Sequence, residues 1–174
     1  MAFWLESQAC ARVARALSKF LELKNQSGVF SAGLLHYIGR VALVQIVPKH
    51  YERVSPALAG LDLVKAEGDA LGLTHTEAGY ELALHWELPA ELAECIRFHH
   101  TPQHASERHR GIASIVNIAE AVARTRPQPG EPLDLDLSEC ETSLRLLDLK
   151  EEEIAEVAAS VPRPSATDTL WTPA

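Results

Sequence analysis

The chain carries eight histidines, His36, His50, His75, His85, His99, His100, His104 and His109. Four of them, His36, His75, His99 and His100, fall in segments of helical spacing near a glycine or another histidine. A histidine inside an apolar helix is ordinarily a packed residue with one hydrogen-bond partner, and it becomes a metal ligand or a catalytic base only in company. Two carboxylates supply that company. Glu6 and Glu120 also lie on helical segments beside apolar faces, where an ionised group needs a partner to offset its desolvation. A metal would serve as that partner. His50, His85, His104 and His109 sit in polar or connector context and are expected to be exposed.

The elements that must position these groups read as helices. From Phe3 to Leu23, apolar residues including Ala9, Val13, Leu17 and Phe20 recur at three- and four-residue steps, which predicts an amphipathic helix. Asn25 to Gly28 breaks it, and Ser27 is placed to cap a second helix that runs through Phe30, Leu34, Ile38 and Leu43 to a stop at Pro48. Being apolar nearly all round, this helix should be central. One or two weaker helices end at the Leu71-Gly72-Leu73 step, and Thr74 with Glu77 has the spacing of a capping box for a helix to about Trp86. In LPAELAECIRFHHTP, Pro89 takes a first-turn position, Leu92, Cys95, Ile96 and His99 share one face, and Pro102 lies just past the end.

Ile112 to Ala123 forms another helix, and Ser138 with Glu141 matches a second capping box ahead of short helices running to Val161. The fold class is all-α, a compact helical bundle, since no strand alternation and no repeat is visible. The expected organisation is a helical core over 1–124, a proline-dense connector over 125–136, helices over 137–161 packed on the core, and a mobile tail over 162–174 whose Trp171 could dock. Gly33, Gly39 and Gly79 are read as close-packing positions around the central helix, and Trp86 with Leu88 and Pro89 as a core corner joining two helices.

Composition narrows the partners. With 174 residues, 47% hydrophobic and 23% charged, the chain can build one ordinary domain. A formal net charge of -8 and the lack of a basic patch argue against nucleic acid and anionic membrane surfaces. Cys10, Cys95 and Cys140 are too far apart for a C-x-x-C motif and read as reduced, buried thiols. The N-terminus lacks the basic start and apolar run of a signal peptide, and the apolar stretches are read as too short for a membrane span, so the expected location is cytoplasmic.

Four blocks, FWLESQACARVARAL, FSAGLLHYIGRVAL, THTEAGYELALHWELPAELAECIRFHHTP and IVNIAEAVA, in this order and at these separations, resemble the HDOD domain, a regulatory relative of the HD and HD-GYP metal-dependent phosphohydrolases. The family's usual N-terminal helical portion has no counterpart here, which implies a shortened member. In the catalytic relatives, histidines and carboxylates from several helices hold two or more divalent metals that activate water against a phosphoester. The resemblance implies Glu6 as the first ligand, His36 as the histidine of the HD pair, His75, His99 and His100 as further histidines, and Glu120 as the late carboxylate. It sets Arg40 where a basic residue can face a phosphate. Tyr37 stands where the pair's aspartate belongs, and a phenol with a pKa near ~10 is a poor substitute for an anionic bridging ligand.

Three expectations follow. The favoured one is a non-catalytic, bacterial-type signalling module of HDOD type that binds a protein partner or a small ligand at a degenerate site, with Tyr37 and Arg40 lining it and no cofactor required. Its histidines would then be hydrogen-bonded core residues, Glu120 as readily a solvated helix carboxylate, and Arg40 more readily a surface ion-pair or helix-end charge than a phosphate ligand. The rival is a metal-dependent phosphodiesterase acting on a nucleotide or cyclic dinucleotide, with iron, manganese or zinc. The third is a truncated remnant whose uncovered apolar face drives homodimerisation. Adjacent helix positions point about 100° apart, so His99 and His100 can face one metal only at a helix end.

Overall fold

The computed structural model describes residues 2–125 and 134–161. Most of the expected connector, and the whole expected tail with Trp171, lie outside the described residues. The described elements are all helical: α1 (Ala2–Phe20), α2 (Gln26–Leu35), α3 (Ile38–Ile46), α4 (Pro48–Tyr51), α5 (Gly60–Leu71), α6 (His75–His85), α7 (Ala90–Phe98), α8 (Arg110–Arg124), α9 (Glu141–Leu147) and α10 (Glu151–Ser160). Single 3-10 turns lie at Pro102–His104 and Ser138–Cys140.

The main core is the meeting of α1, α2, α7 and α8. Cys10, Val13, Ala14 and Leu17 of α1 pack on Val29 and Ala32 of α2 and on Ile115, Val116 and Ile118 of α8. Ile154 and Val157 of α10 close the same cluster, so the C-terminal helices share this core. A second, smaller cluster of Leu43, Tyr51, Val54 and Leu63 joins α3, α4 and α5. Between α3, α5 and α6 a groove of about 660 Å³ is lined by Leu43, Ile46, Val47, Ala70, Leu71 and Leu82.

Helix ends follow local chemistry, at some positions not the ones expected. The Thr74–Glu77 capping box forms as read. The cap of α2 is Asn25 and not Ser27: the Asn25 amide oxygen accepts the Gly28 N–H at 3.0 Å while its nitrogen donates to Glu91 at 2.7 Å. Ser138 makes no capping box; its hydroxyl and amide both turn back to Asp136, at 2.6 and 3.1 Å. Trp86 is 53% exposed and is not a core corner. The corner is a Schellman end, with Glu87 left-handed at φ 53° and the Leu88 N–H reaching the Ala83 carbonyl at 2.9 Å, so Leu88 packs inward instead.

The stretch Gln26–Ile46 has the length and hydropathy of a membrane span, contrary to the expectation that none reaches it. It is broken at His36–Tyr37 and buries His36, Tyr37 and Arg40 against other helices, as a core helix pair does. The three glycines do the close packing expected of them. A Cβ at Gly33 would stand 2.8 Å from the Ala11 Cα, one at Gly79 2.6 Å from the Ile96 side chain, and one at Gly39 would collide with the His75 carbonyl and the Gly79 backbone.

Candidate functional site

The break between α2 and α3 builds the site. The His36 ring donates its Nδ1–H to the Gly33 carbonyl at 2.7 Å, competing with the main-chain N–H that would extend the helix. Instead of one continuous helix to Pro48 there are two, with His36 and Tyr37 at the joint, 0% and 2% exposed. His99 repeats the device at the end of α7, donating Nδ1–H to the Ile96 carbonyl at 2.9 Å. The helix stops at Phe98, and that end lets the consecutive residues His99 and His100 both turn inward. The close α3–α6 contact at Gly39 and Gly79 then carries His75, at the start of α6, against them.

The imidazoles meet through their Nε2 atoms. His75 Nε2 lies 3.4 Å from His99 Nε2 and 3.2 Å from His100 Nε2, and a ligand atom from each of the three histidines falls within 4.8 Å of the others. His36 stands edge-on to His99 at 5.2 Å between ring centroids, its Nε2 buried and without a partner. Glu120 of α8 closes the other side: Oε2 lies 3.4 Å from His100 Nδ1, and Oε1 accepts from the Tyr37 hydroxyl at 2.7 Å and from Arg124 at 3.3 Å.

Of the residues expected at the site, His36, Tyr37, His75, His99, His100 and Glu120 are brought together. Glu120 is 3% exposed, so the solvated alternative for it is wrong. Arg40 is no surface charge either. It is 4% exposed, donates through Nε to the Tyr51 hydroxyl at 2.8 Å, and stacks over Phe3 at 4.2 Å. Glu6, on the exposed turn of α1 beside Trp4, is half-buried and lies outside the three-histidine group. His50, His85 and His104 are exposed as expected, whereas His109 is half-buried and paired with Glu94 at 3.0 Å.

Two functional residues, Glu67 and Tyr51, escape a sequence reading. Glu67 of α5, fully buried, accepts the His75 Nδ1–H at 2.6 Å and the His75 amide at 2.7 Å on one oxygen, and the Tyr51 hydroxyl at 2.8 Å on the other. A chain of hydrogen bonds therefore runs Arg40, Tyr51, Glu67, His75. The only sequence signal is a lone glutamate eight residues before His75 on a weakly amphipathic helix.

Burial sets the electrostatics. It lowers His36 to about 4, against the pull of Glu120 and the Gly33 carbonyl, and lowers His100 to about 4 against Glu120. Burial and three neighbouring imidazoles push His99 well below the usual range. Burial raises Glu120, yet His100, His36, Arg124 and the Tyr37 hydroxyl outweigh it and hold the carboxyl down to about 2. Tyr37 is driven well above 10 by burial and by Glu120, so its phenol is neutral.

These protonation states decide what the cluster can hold. A ring nitrogen on a carbonyl or carboxylate oxygen must be the donor, so His36, His75 and His99 carry hydrogen on Nδ1 and present bare lone pairs on Nε2. The buried His36 Nε2 is then an acceptor without a partner, while the His75 Nε2 faces that of His99 at 3.4 Å and that of His100, which can donate to it, at 3.2 Å. That donor set fits one divalent cation bound by imidazole. A bridged metal pair fits poorly, because at the bridging position Tyr37 offers a neutral phenol already committed to Glu120.

A family model for the HDOD domain matches residues 1–102. The chain belongs to the HDOD family. An uncharacterized protein of Treponema pallidum (strain Nichols) is 30% identical over 97 residues, 55% of this HDOD chain and 19% of that protein. Among solved structures, a protein of Shewanella amazonensis SB2B provisionally named a phosphohydrolase is 26% identical with a TM-score of 0.69, over 91% of this chain and 58% of that one. One of Marinobacter aquaeolei VT8, provisionally named a signal transduction protein, shares the fold at 23% identity and a TM-score of 0.73, over 90% of this chain and 35% of that one. The HDOD chain thus spans less than two thirds of each of these proteins.

Proposed function

We propose that this HDOD chain is a signalling module that regulates by binding a protein partner and does not turn over a phosphoester. The observation that carries this reading is the Tyr37 hydroxyl on Glu120 at 2.7 Å. Where a two-metal hydrolase needs an anionic bridge between its ions, this chain has a neutral, buried phenol that also occupies an oxygen of the second carboxylate. Burial supports the same reading, since His36, His75 and His99 are 0%, Glu120 3% and His100 7% exposed, which leaves a phosphoester little approach to the imidazoles. The exposed apolar side chains flanking the α3–α5–α6 groove, Ile46 at 75% and Leu73 at 39%, support a protein as partner.

The rival reading, a metal-dependent phosphohydrolase, draws its support from the convergence of the three Nε2 atoms. One assay separates them: hydrolysis of phosphodiester and cyclic dinucleotide substrates with added manganese, iron or magnesium. The module reading expects no rate above that of the His99→Ala, His100→Ala double variant. Metal-dependent turnover that this double variant loses would overturn it.

A further inference from the structure

We propose that the α3–α5–α6 groove takes an amphipathic helix of a partner protein, one with an apolar stripe two turns long and a lysine or arginine on the flank that faces Glu81. The inference rests on the module reading above and names the chemistry of its partner. α3 and α6 touch at Gly39 and Gly79, where a Cβ on Gly39 would collide with the Gly79 backbone. Beyond that contact the two helices leave a trough of about 660 Å³, which the end of α5 closes with Ala70 and Leu71. Its floor is Leu43, 4% exposed, and its rim is Ile46, 75% exposed at the last residue of α3. An isoleucine so placed gains from apolar surface laid over it, and Leu73 extends the same rim.

Shape selects a helix. Along α6 the lining residues Ala78, Leu82 and His85 stand at i, i+4 and i+7, a span of about 10.5 Å at 1.5 Å per residue. That is two helical turns, the length over which a docked helix offers apolar residues at i, i+3 or i+4, and i+7. Charge selects the sign. Among the described residues of the lining Glu81 is the one carboxylate, no lysine or arginine is present, and Glu81 is exposed and forms no ion pair. The segment 41–87 that builds the groove holds seven carboxylates, the buried Glu67 among them, against Lys49, Arg53 and Lys65. With a formal net charge of -8, the chain draws a basic partner and repels a second copy of itself. The apolar rim alone would serve either occupant, and charge decides between them.

The test is fluorescence anisotropy of the full chain with a labelled synthetic peptide of about 14 residues, four helical turns, carrying leucines at i, i+3, i+4 and i+7 and lysines beside them. A second peptide has glutamate at every lysine. The chain should bind the lysine peptide and not the glutamate one. Ile46→Lys should weaken binding at least about tenfold. Glu81→Lys should weaken it about two- to fivefold and gain the glutamate peptide. Leu146→Lys, which adds the same charge at an exposed leucine of α9 off the groove, should match wild type. Circular dichroism melts check that each variant folds, and Leu73→Lys replaces Ile46→Lys should the latter unfold. No binding of the lysine peptide, equal binding of both peptides, or wild-type affinity in the rim variant would overturn the proposal. So would a dimer in light scattering that the rim variant dissociates, since it gives the groove to a second copy. Phosphoester turnover is a separate readout. Turnover that the His99→Ala, His100→Ala double variant loses, with peptide binding intact, would sink the module reading and spare the groove; failed peptide binding without turnover would sink this inference alone.

Discussion

Tyr37 and Glu120, 83 positions apart in the chain, share a 2.7 Å hydrogen bond in which the phenol donates to a carboxylate that is almost wholly buried. The bond ties the start of α3 to α8 across the histidine cluster. It joins a neutral phenol to an ionised carboxylate beside the imidazoles.

Tyr37→Phe removes that donor and leaves a buried carboxylate one bond short. Hydrogen bonds to charged groups are worth about 1.5–3 kcal/mol, so the variant should be less stable by that amount in urea unfolding. An unchanged midpoint would mean that Arg124 alone satisfies Glu120.

Acid should destabilise the fold over two overlapping pH ranges. His36 and His100 titrate at about 4 in the fold and near 6.5 unfolded, so between those values the unfolded chain binds more protons and stability falls as pH drops. Each unit of depression is worth about 1.4 kcal/mol. Glu120, at about 2 in the fold against 4.5, adds a further loss as pH falls from 4.5 towards 2. Urea melts at pH 7, 5.5 and 4 should show a steady decline, and a flat profile from 7 to 4 would contradict the neutral, buried histidines.

Gly39→Ala should be severely destabilising, by more than about 3 kcal/mol, because the added methyl meets the His75 carbonyl and the Gly79 backbone, neither of which can yield as a side chain can. Gly111→Ala is the control. Nothing lies within 4 Å of a Cβ there, on the first turn of α8, and it should gain up to about 1 kcal/mol from helix propensity. Thermal unfolding of the pair checks both signs.

Asn25→Ala should cost about 1 kcal/mol, the usual worth of an N-cap, and it also removes the hydrogen bond from the Asn25 side chain to Glu91. Ser27→Ala should cost almost nothing. The reverse order in chemical denaturation would restore the cap to the serine.

What was legible in the sequence depended on how local its cause was. The Thr74 capping box, the close-packing glycines and the four site histidines could be read because spacing along one helix, or block order, carried them. The break at His36 was not, since it comes from a ring competing for the Gly33 carbonyl in a run otherwise apolar enough to continue. Ser27 fitted a cap pattern that Asn25 fills, and Ser138 fitted one that its turn back to Asp136 pre-empts. Glu67 and Tyr51 lie in the weakly patterned stretch before Gly72, and Arg40, set at the site by block order, read more readily as a surface charge, because only the docking of α5 on α6 joins the three to His75.

The most direct measurement is the metal content of untagged protein purified without chelator, by elemental analysis against protein concentration. The account predicts at most one equivalent, lost in His99→Ala, because the buried imidazoles form one cluster and the Tyr37 phenol is committed to Glu120. Two equivalents per chain would contradict it and return the site to the hydrolases.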